Sequence, residues 1–252
     1  MSEAGRRGWL ADLVKVGAAE FDAEPAGDCI IGLRARTAGS RVIVAADGSE
    51  RWLRVVPERL GWAGGPMWTA NVDAGALVGV ARPKVLGVRE WEREGFLIRA
   101  ELMTLAPGGP LAPDMALRAP VSLSSSWWAE LRQSLDNLAA SPTDRTCLDT
   151  EHVRLRLLAM FGVEIDPETI ESTTAHSDLH WANLTGPTCC LLDWEAWGTA
   201  PAGYDAATLY CASLLRPEMA AQVSEHFDDL LDSRAGHDEA KVPPTGIMPR
   251  SH

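Results

Sequence analysis

The sequence predicts an α+β fold in two lobes, a small mainly antiparallel β lobe followed by a mainly helical one, and three observations predict it. Short β-rich runs separated by turns crowd the N-terminal part, a Pro- and Gly-broken segment interrupts the chain at 106–113, and stripes at helical spacing follow. The lobes are therefore expected at 1–105 and 114–252, with 106–113 as the hinge.

An amphipathic first helix is expected around Trp9, Leu10, Leu13 and Val14. Asp12 and Lys15 break the apolar core that the twin arginine Arg6-Arg7 would need to serve as an export signal. The runs IIGLRA, RVIVAA and RWLRVV, between Ile30 and Val56, read as strands, and Asp47-Gly48 between the last two is a hairpin turn. A short helix is expected over 68–77, then two strands in ARPKVLGV and GFLIRAELMTLA. In the segment APGGPLAP, from Ala106 to Pro113, neither helix nor strand can continue. Beyond it, a serine cap precedes Trp128, Leu131, Leu135 and Leu138, whose spacing makes one buried helical stripe. Further helices are expected over 150–161 and over 205–215, the latter capped by Asp205, and the tail after Ala235 is expected to fray.

A chain of 252 residues, 46% apolar, is an ordinary globular sequence. Its net charge of -12 and lack of a basic run argue against a nucleic-acid partner and favour a cationic small molecule. Five cysteines without a CxxC pair point to a reducing compartment, the cytoplasm. No apolar run reaches the roughly 20 residues that span a bilayer, so no membrane partner is expected.

The informative stretch is His176-Ser-Asp-Leu-His-Trp-Ala-Asn-Leu, followed by a Gly186-Pro187 turn and the apolar run CCLL that delivers Asp193. Phosphorylating a hydroxyl needs a carboxylate near that hydroxyl and oxygen ligands for the Mg²⁺ that bridges the phosphates. Asp178 fits the first role, and Asn183 and Asp193 fit the second, in the D-x-x-x-x-N spacing of a kinase catalytic loop. A hairpin from about Leu184 to Leu192 is expected to bring Asp193 back beside the first pair.

With HSDLHWAN and LLDWE, the chain resembles the aminoglycoside phosphotransferase family, whose loop reads H-G-D-x-x-x-x-N and whose metal segment reads I-D-[FW]-E. The likeness continues through Gly198, Pro201, Tyr204 and Asp205, and more faintly through PKVLG and ELMTLAPGGPL. It implies a two-lobed protein-kinase-like fold and transfer of a phosphoryl group from ATP, or GTP, to a small-molecule hydroxyl, an aminoglycoside or other antibiotic among the acceptors. It also implies Mg²⁺ on Asn183 and Asp193, adenine on the backbone around Met103, Thr104 and Leu105, and a phosphate-covering turn, Arg36-Thr-Ala-Gly-Ser40, that includes Ser40.

The departures are specific. Ser177 stands where the family has glycine, and Arg54 stands where a lysine contacts the phosphates, its planar fork replacing a point ammonium. No glutamate lies in the helix expected at 68–77, which leaves Asp73 or Asn71 to orient Arg54. Two rival readings follow from the residues. A nucleotide-binding protein without transferase activity would explain the departures. A metallohydrolase would use the alternation of His176, Asp178 and His180, which share one side if that segment is a strand. The tryptophans read as core, with Trp181, inside the loop, as the candidate for stacking on a ligand.

Overall fold

The computed structural model describes residues 2–146 and 170–231 continuously, with scattered residues between 151 and 168. It is α+β, with an antiparallel six-stranded sheet and, among the described residues, five α-helices. The chain divides into two compact units. One is the chain up to Gly75 with Pro83–Ala106, and the other is Ala76–Arg82 with the chain from Pro107 onward.

In the first unit, helix α1 (Glu3–Ala19) starts at Ser2, whose hydroxyl accepts the Gly5 N–H at 3.2 Å. The sheet comprises β1 (Ala23–Pro25), β2 (Ile30–Ile31), β3 (Ala38–Val44), β4 (Glu50–Arg59), β5 (Val85–Arg93) and β6 (Phe96–Thr104). Its order is β1-β3-β4-β6-β5, with β2 also on β3. Alternation along β4 and β6 gives the sheet two unlike faces. Leu53, Val55, Ile98, Ala100 and Leu102 are buried in one core with Leu10, Leu13 and Val14 of α1. Arg54, Arg99 and Glu101 point the other way, towards helix α2 (Pro66–Asp73), whose Asn71 and Trp68 hydrogen-bond that charged face.

The β3–β4 hairpin closes at Asp47-Gly48, where Gly48 takes a φ of 67° and Asp47 accepts the Ser49 N–H at 2.9 Å. The expected strand over 30–35 is broken after Ile31. Leu33–Ala35 form a single 3-10 turn, with positive φ at Arg34 and Ala35, and the Gly32 N–H closes the loop on the Thr37 carbonyl. A side chain at Gly32 would strike the Thr37 hydroxyl. The helix expected over 68–77 begins two residues earlier and ends in a 3-10 turn at Ala74–Ala76.

The second unit holds α3 (Ser125–Ala139), α4 (Tyr204–Ser213) and α5 (Pro217–Leu231), with two short pairings: β7 (Gly109–Pro110) with β9 (Thr185–Gly186), and β8 (Ser172–Ala175) with β10 (Gly198–Pro201). Ser124 caps α3 through the Trp127 N–H, and the stripe Trp127, Trp128, Leu131, Leu135 and Leu138 is buried. A bidentate contact from Arg132 to Asp229, 2.7 Å on both arms, fastens α3 to α5.

The two units divide between Ala106 and Pro107, inside the segment expected as the hinge, and past that point Gly109 and Pro110 pair with β9 and the Leu111 N–H donates to Leu184 at 2.9 Å. One expectation changes here. Residues 76–82, expected in the first lobe, belong to the second unit. There the Gly79 carbonyl accepts from Asn137 and the Ala81 carbonyl accepts the Leu191 N–H. The helix expected over 150–161 falls largely, and the tail after Ala235 wholly, outside the described residues. No helix among the described residues is long and apolar enough to cross a membrane.

Candidate active site

Strand β8 runs into the loop that carries Asp178. The turn out of the strand is made at Ser177, which takes a φ of 66° and so explains why a glycine suits this position. Asp205 holds the turn. One of its oxygens accepts the His176 N–H at 2.7 Å and the other the Ser177 N–H at 2.8 Å. Asp205 is therefore not the cap of α4: Gly203 occupies the N-cap, and Asp205 lies buried in the first turn, facing inward. Burial pushes its carboxyl above the usual carboxylate range, opposed by the His176 imidazole and the two N–H donors.

His176 is fully buried, with Nε2 2.8 Å from the Leu192 carbonyl oxygen and its ring edge-on to Trp194. A carbonyl only accepts, so Nε2 carries the proton in this contact. The imidazole thus ties the Asp178 loop to the residue before Asp193. Residues 176–180 are not a strand, so the alternation on which a metallohydrolase would depend does not form. Among the described residues, no three His, Cys, Asp or Glu side chains gather as a metal-binding group.

Asn183 ends a 3-10 turn, Trp181–Asn183, and folds back on Asp178. Its Nδ2 lies 2.9 Å from the Asp178 carbonyl oxygen, 3.3 Å from the Asp178 carboxylate and 3.3 Å from His180 Nε2. With the amide nitrogen committed to these acceptors, Oδ1 is the atom left to bind a cation. The Asp178 side chain is 40% exposed, and His180 Nε2, 3.6 Å from its carboxylate, is too far for a hydrogen bond.

The chain then makes the expected hairpin. Leu184 bridges Leu191, the Thr185 N–H donates to Cys190, and the Leu192 N–H donates to the Asn183 carbonyl at 2.8 Å. Asp193 follows at once, exposed and with a φ of 58°. Indole donors brace the hairpin: Trp127 Nε1 to the Thr185 carbonyl at 2.8 Å and Trp194 Nε1 to Leu191 at 2.9 Å. Cys189 and Cys190 are buried within it, and burial raises their thiols to about 12 and about 11. Trp181 is 0% exposed, stacked near Trp127 and donating to the Ser213 hydroxyl, so it is core and not a ligand platform.

In the first unit, Arg54 Nη1 meets Glu101 Oε2 at 3.3 Å. Glu101 also receives Asn71 Nδ2 at 2.8 Å and Arg99 Nε at 2.8 Å. Of the two helix residues expected to orient Arg54, Asn71 reaches this network from α2, but the carboxylate itself is on the neighbouring strand. Asp73 accepts from Thr69 at 2.7 Å. Ser40 leaves the set of nucleotide contacts, because it lies within β3, 1% exposed, with its hydroxyl given to backbone carbonyls. Met103 is buried in β6, and the Thr104 N–H is engaged by the Lys84 carbonyl at 2.9 Å. Leu105, past the end of the strand, is exposed. Comparison with protein-family models and with curated proteins finds no match to the chain.

Proposed function

We propose that the chain transfers the γ-phosphoryl group of ATP or GTP to a hydroxyl of a small molecule. The observation that carries this reading is one loop and hairpin of the second unit, in which Asn183 is bonded to Asp178 and the Leu192 N–H returns to Asn183 just before Asp193. The donor set fits Mg²⁺, since Asn183 Oδ1 and the Asp193 carboxylate are hard oxygen ligands. When bound there with a nucleotide, the ion screens the charge of the phosphates.

Asp178, half-exposed and flanked by the Asn183 amide, orients the acceptor hydroxyl and takes its proton. That oxygen forms the new bond to the γ-phosphorus as the bond to the β–γ bridging oxygen breaks. Arg54 is assigned to the nucleotide phosphates, where its guanidinium donates to phosphate oxygens. The net charge of -12 favours cationic acceptors, including aminoglycosides.

Titration calorimetry with ATP, with and without Mg²⁺, on the wild type and on Asp193→Ala tests the reading. Mg²⁺-dependent binding that the variant loses, followed by turnover of a hydroxyl acceptor, supports it. Binding without turnover across a broad acceptor panel supports a nucleotide-binding protein without transferase activity, and no binding under either condition refutes both.

A further inference from the structure

His180 meets Asn183 twice. Its backbone carbonyl accepts the Asn183 N–H at 2.9 Å, and its ring Nε2 lies 3.3 Å from Asn183 Nδ2. Leu179 and Trp181, on either side of it, are fully buried, so the backbone that carries the ring is anchored in both directions.

These contacts admit one orientation of the amide. The Asp178 carbonyl and the ionised Asp178 carboxylate only accept, so the edge of Asn183 that faces them is its NH₂. Turned over, Oδ1 would meet two oxygens. An NH₂ in this place requires an acceptor at His180 Nε2, and Nε2 accepts only in the tautomer that carries its proton on Nδ1. The opposite tautomer would set one N–H against another. Nδ1 is buried with no hydrogen-bond partner among the described residues. A buried N–H left without an acceptor is uncommon and calls for a reason.

We propose that His180 is a positioning residue for the metal ligand: as the Nδ1–H tautomer it holds the Asn183 amide so that Oδ1 is the atom turned towards Mg²⁺. The proposal rests on the phosphotransferase reading above. The Asp178 carboxylate loses its charge when it takes the acceptor proton, and its hold on the amide weakens at that moment. His180 Nε2 keeps its lone pair, so the amide retains a side-chain acceptor through turnover. A group behind a metal ligand that fixes its orientation lowers metal affinity when it is removed.

The test has two parts. Nitrogen NMR shifts of the His180 ring, read on the metal-free wild type at mildly alkaline pH, are expected to show Nδ1 protonated and Nε2 bare. Calorimetry with ATP across a Mg²⁺ series then gives the Mg²⁺ concentration needed for half of the full gain in affinity, in the wild type, His180→Gln, His180→Asn and His180→Phe. The glutamine carbonyl reaches the place of Nε2, whereas the asparagine carbonyl stops near that of Nδ1 and phenylalanine keeps the ring's shape without an acceptor. His180→Phe and His180→Asn are expected to raise the Mg²⁺ requirement about fivefold or more, the scale of a lost hydrogen bond, and His180→Gln to stay within about twofold of the wild type. Should the phenylalanine variant not fold, the asparagine variant carries the comparison.

A proton on Nε2, an unchanged Mg²⁺ requirement in His180→Phe and His180→Asn, or a loss in His180→Gln as large as in His180→Asn would each overturn the proposal alone. A wild type that binds no ATP overturns the phosphotransferase reading and this proposal with it.

Discussion

The backbone N–H of Ser177 donates to Asp205 at 2.8 Å across 28 positions of sequence, and this one contact sets the direction from which the chain enters the loop carrying Asp178. The second oxygen of the same carboxylate takes the N–H of His176. Asp205→Ala leaves both donors buried and unsatisfied, and is expected to cost about 2–4 kcal/mol. Thermal or urea melts measure it. A loss below about 0.5 kcal/mol would mean that the turn is held by other contacts.

Asp178→Asn keeps an acceptor for the Asn183 amide but removes the base. Phosphoryl transfer is expected to fall about a hundredfold or more, with Mg²⁺-nucleotide affinity within about threefold of the wild type. In Asp193→Ala the nucleotide affinity itself is expected to drop in the presence of Mg²⁺. Steady-state rates and calorimetry distinguish the two variants, and full turnover in either one refutes the assigned roles.

Ser177 holds a φ that L-residues avoid, and its hydroxyl is buried without a hydrogen-bond partner. Ser177→Gly is expected to stabilise the protein by about 1 kcal/mol, the relief of strain exceeding the entropy that glycine adds to the unfolded chain. Ser177→Val is expected to destabilise by about 1–3 kcal/mol. Melting temperatures that move in the opposite order would contradict the backbone geometry.

Burial raises the thiols of Cys189 and Cys190, so the reactive thiolate is scarce at ordinary pH. With Cys190 at about 11, roughly a thousandth is ionised at pH 8. Native protein treated with iodoacetamide is expected to leave both cysteines unmodified, and reactivity should rise with pH and on unfolding. Peptide mass analysis reads this out. Fast alkylation of either in the folded state would show that the hairpin opens.

Much of this arrangement was legible in the sequence wherever the pattern is local. The stripe on α1, the Asp47-Gly48 hairpin, the Ser124 cap and the return of the chain between Leu184 and Leu192 are each fixed by residues a few positions apart. Glu101 was missed because nothing local marks it. Its pairing with Arg54 depends on the register of two strands separated by α2 and β5, and register over such a distance is a tertiary property. Asp205 was misread for a related reason: a carboxylate at the start of a helix has the sequence signature of a cap whether it turns to its own helix or to a distant loop. Trp181 shows the same limit, since a residue inside a loop motif can still point wholly into the core.

The two units are interleaved along the chain, and this constrains how the molecule can be synthesised and cut. Strand β4 leaves the ribosome before β6, its partner from Arg51 to Arg59, so one edge of the early sheet stays unpaired until α2 and β5 have been made. A chain starting at Pro107 would lack the Ala81 carbonyl that receives the Leu191 N–H and the Gly79 carbonyl that receives the Asn137 amide. Neither unit is available as one uninterrupted stretch, so deletion analysis has to be done by point substitution, or by joining 76–82 back to the later segment through a short linker.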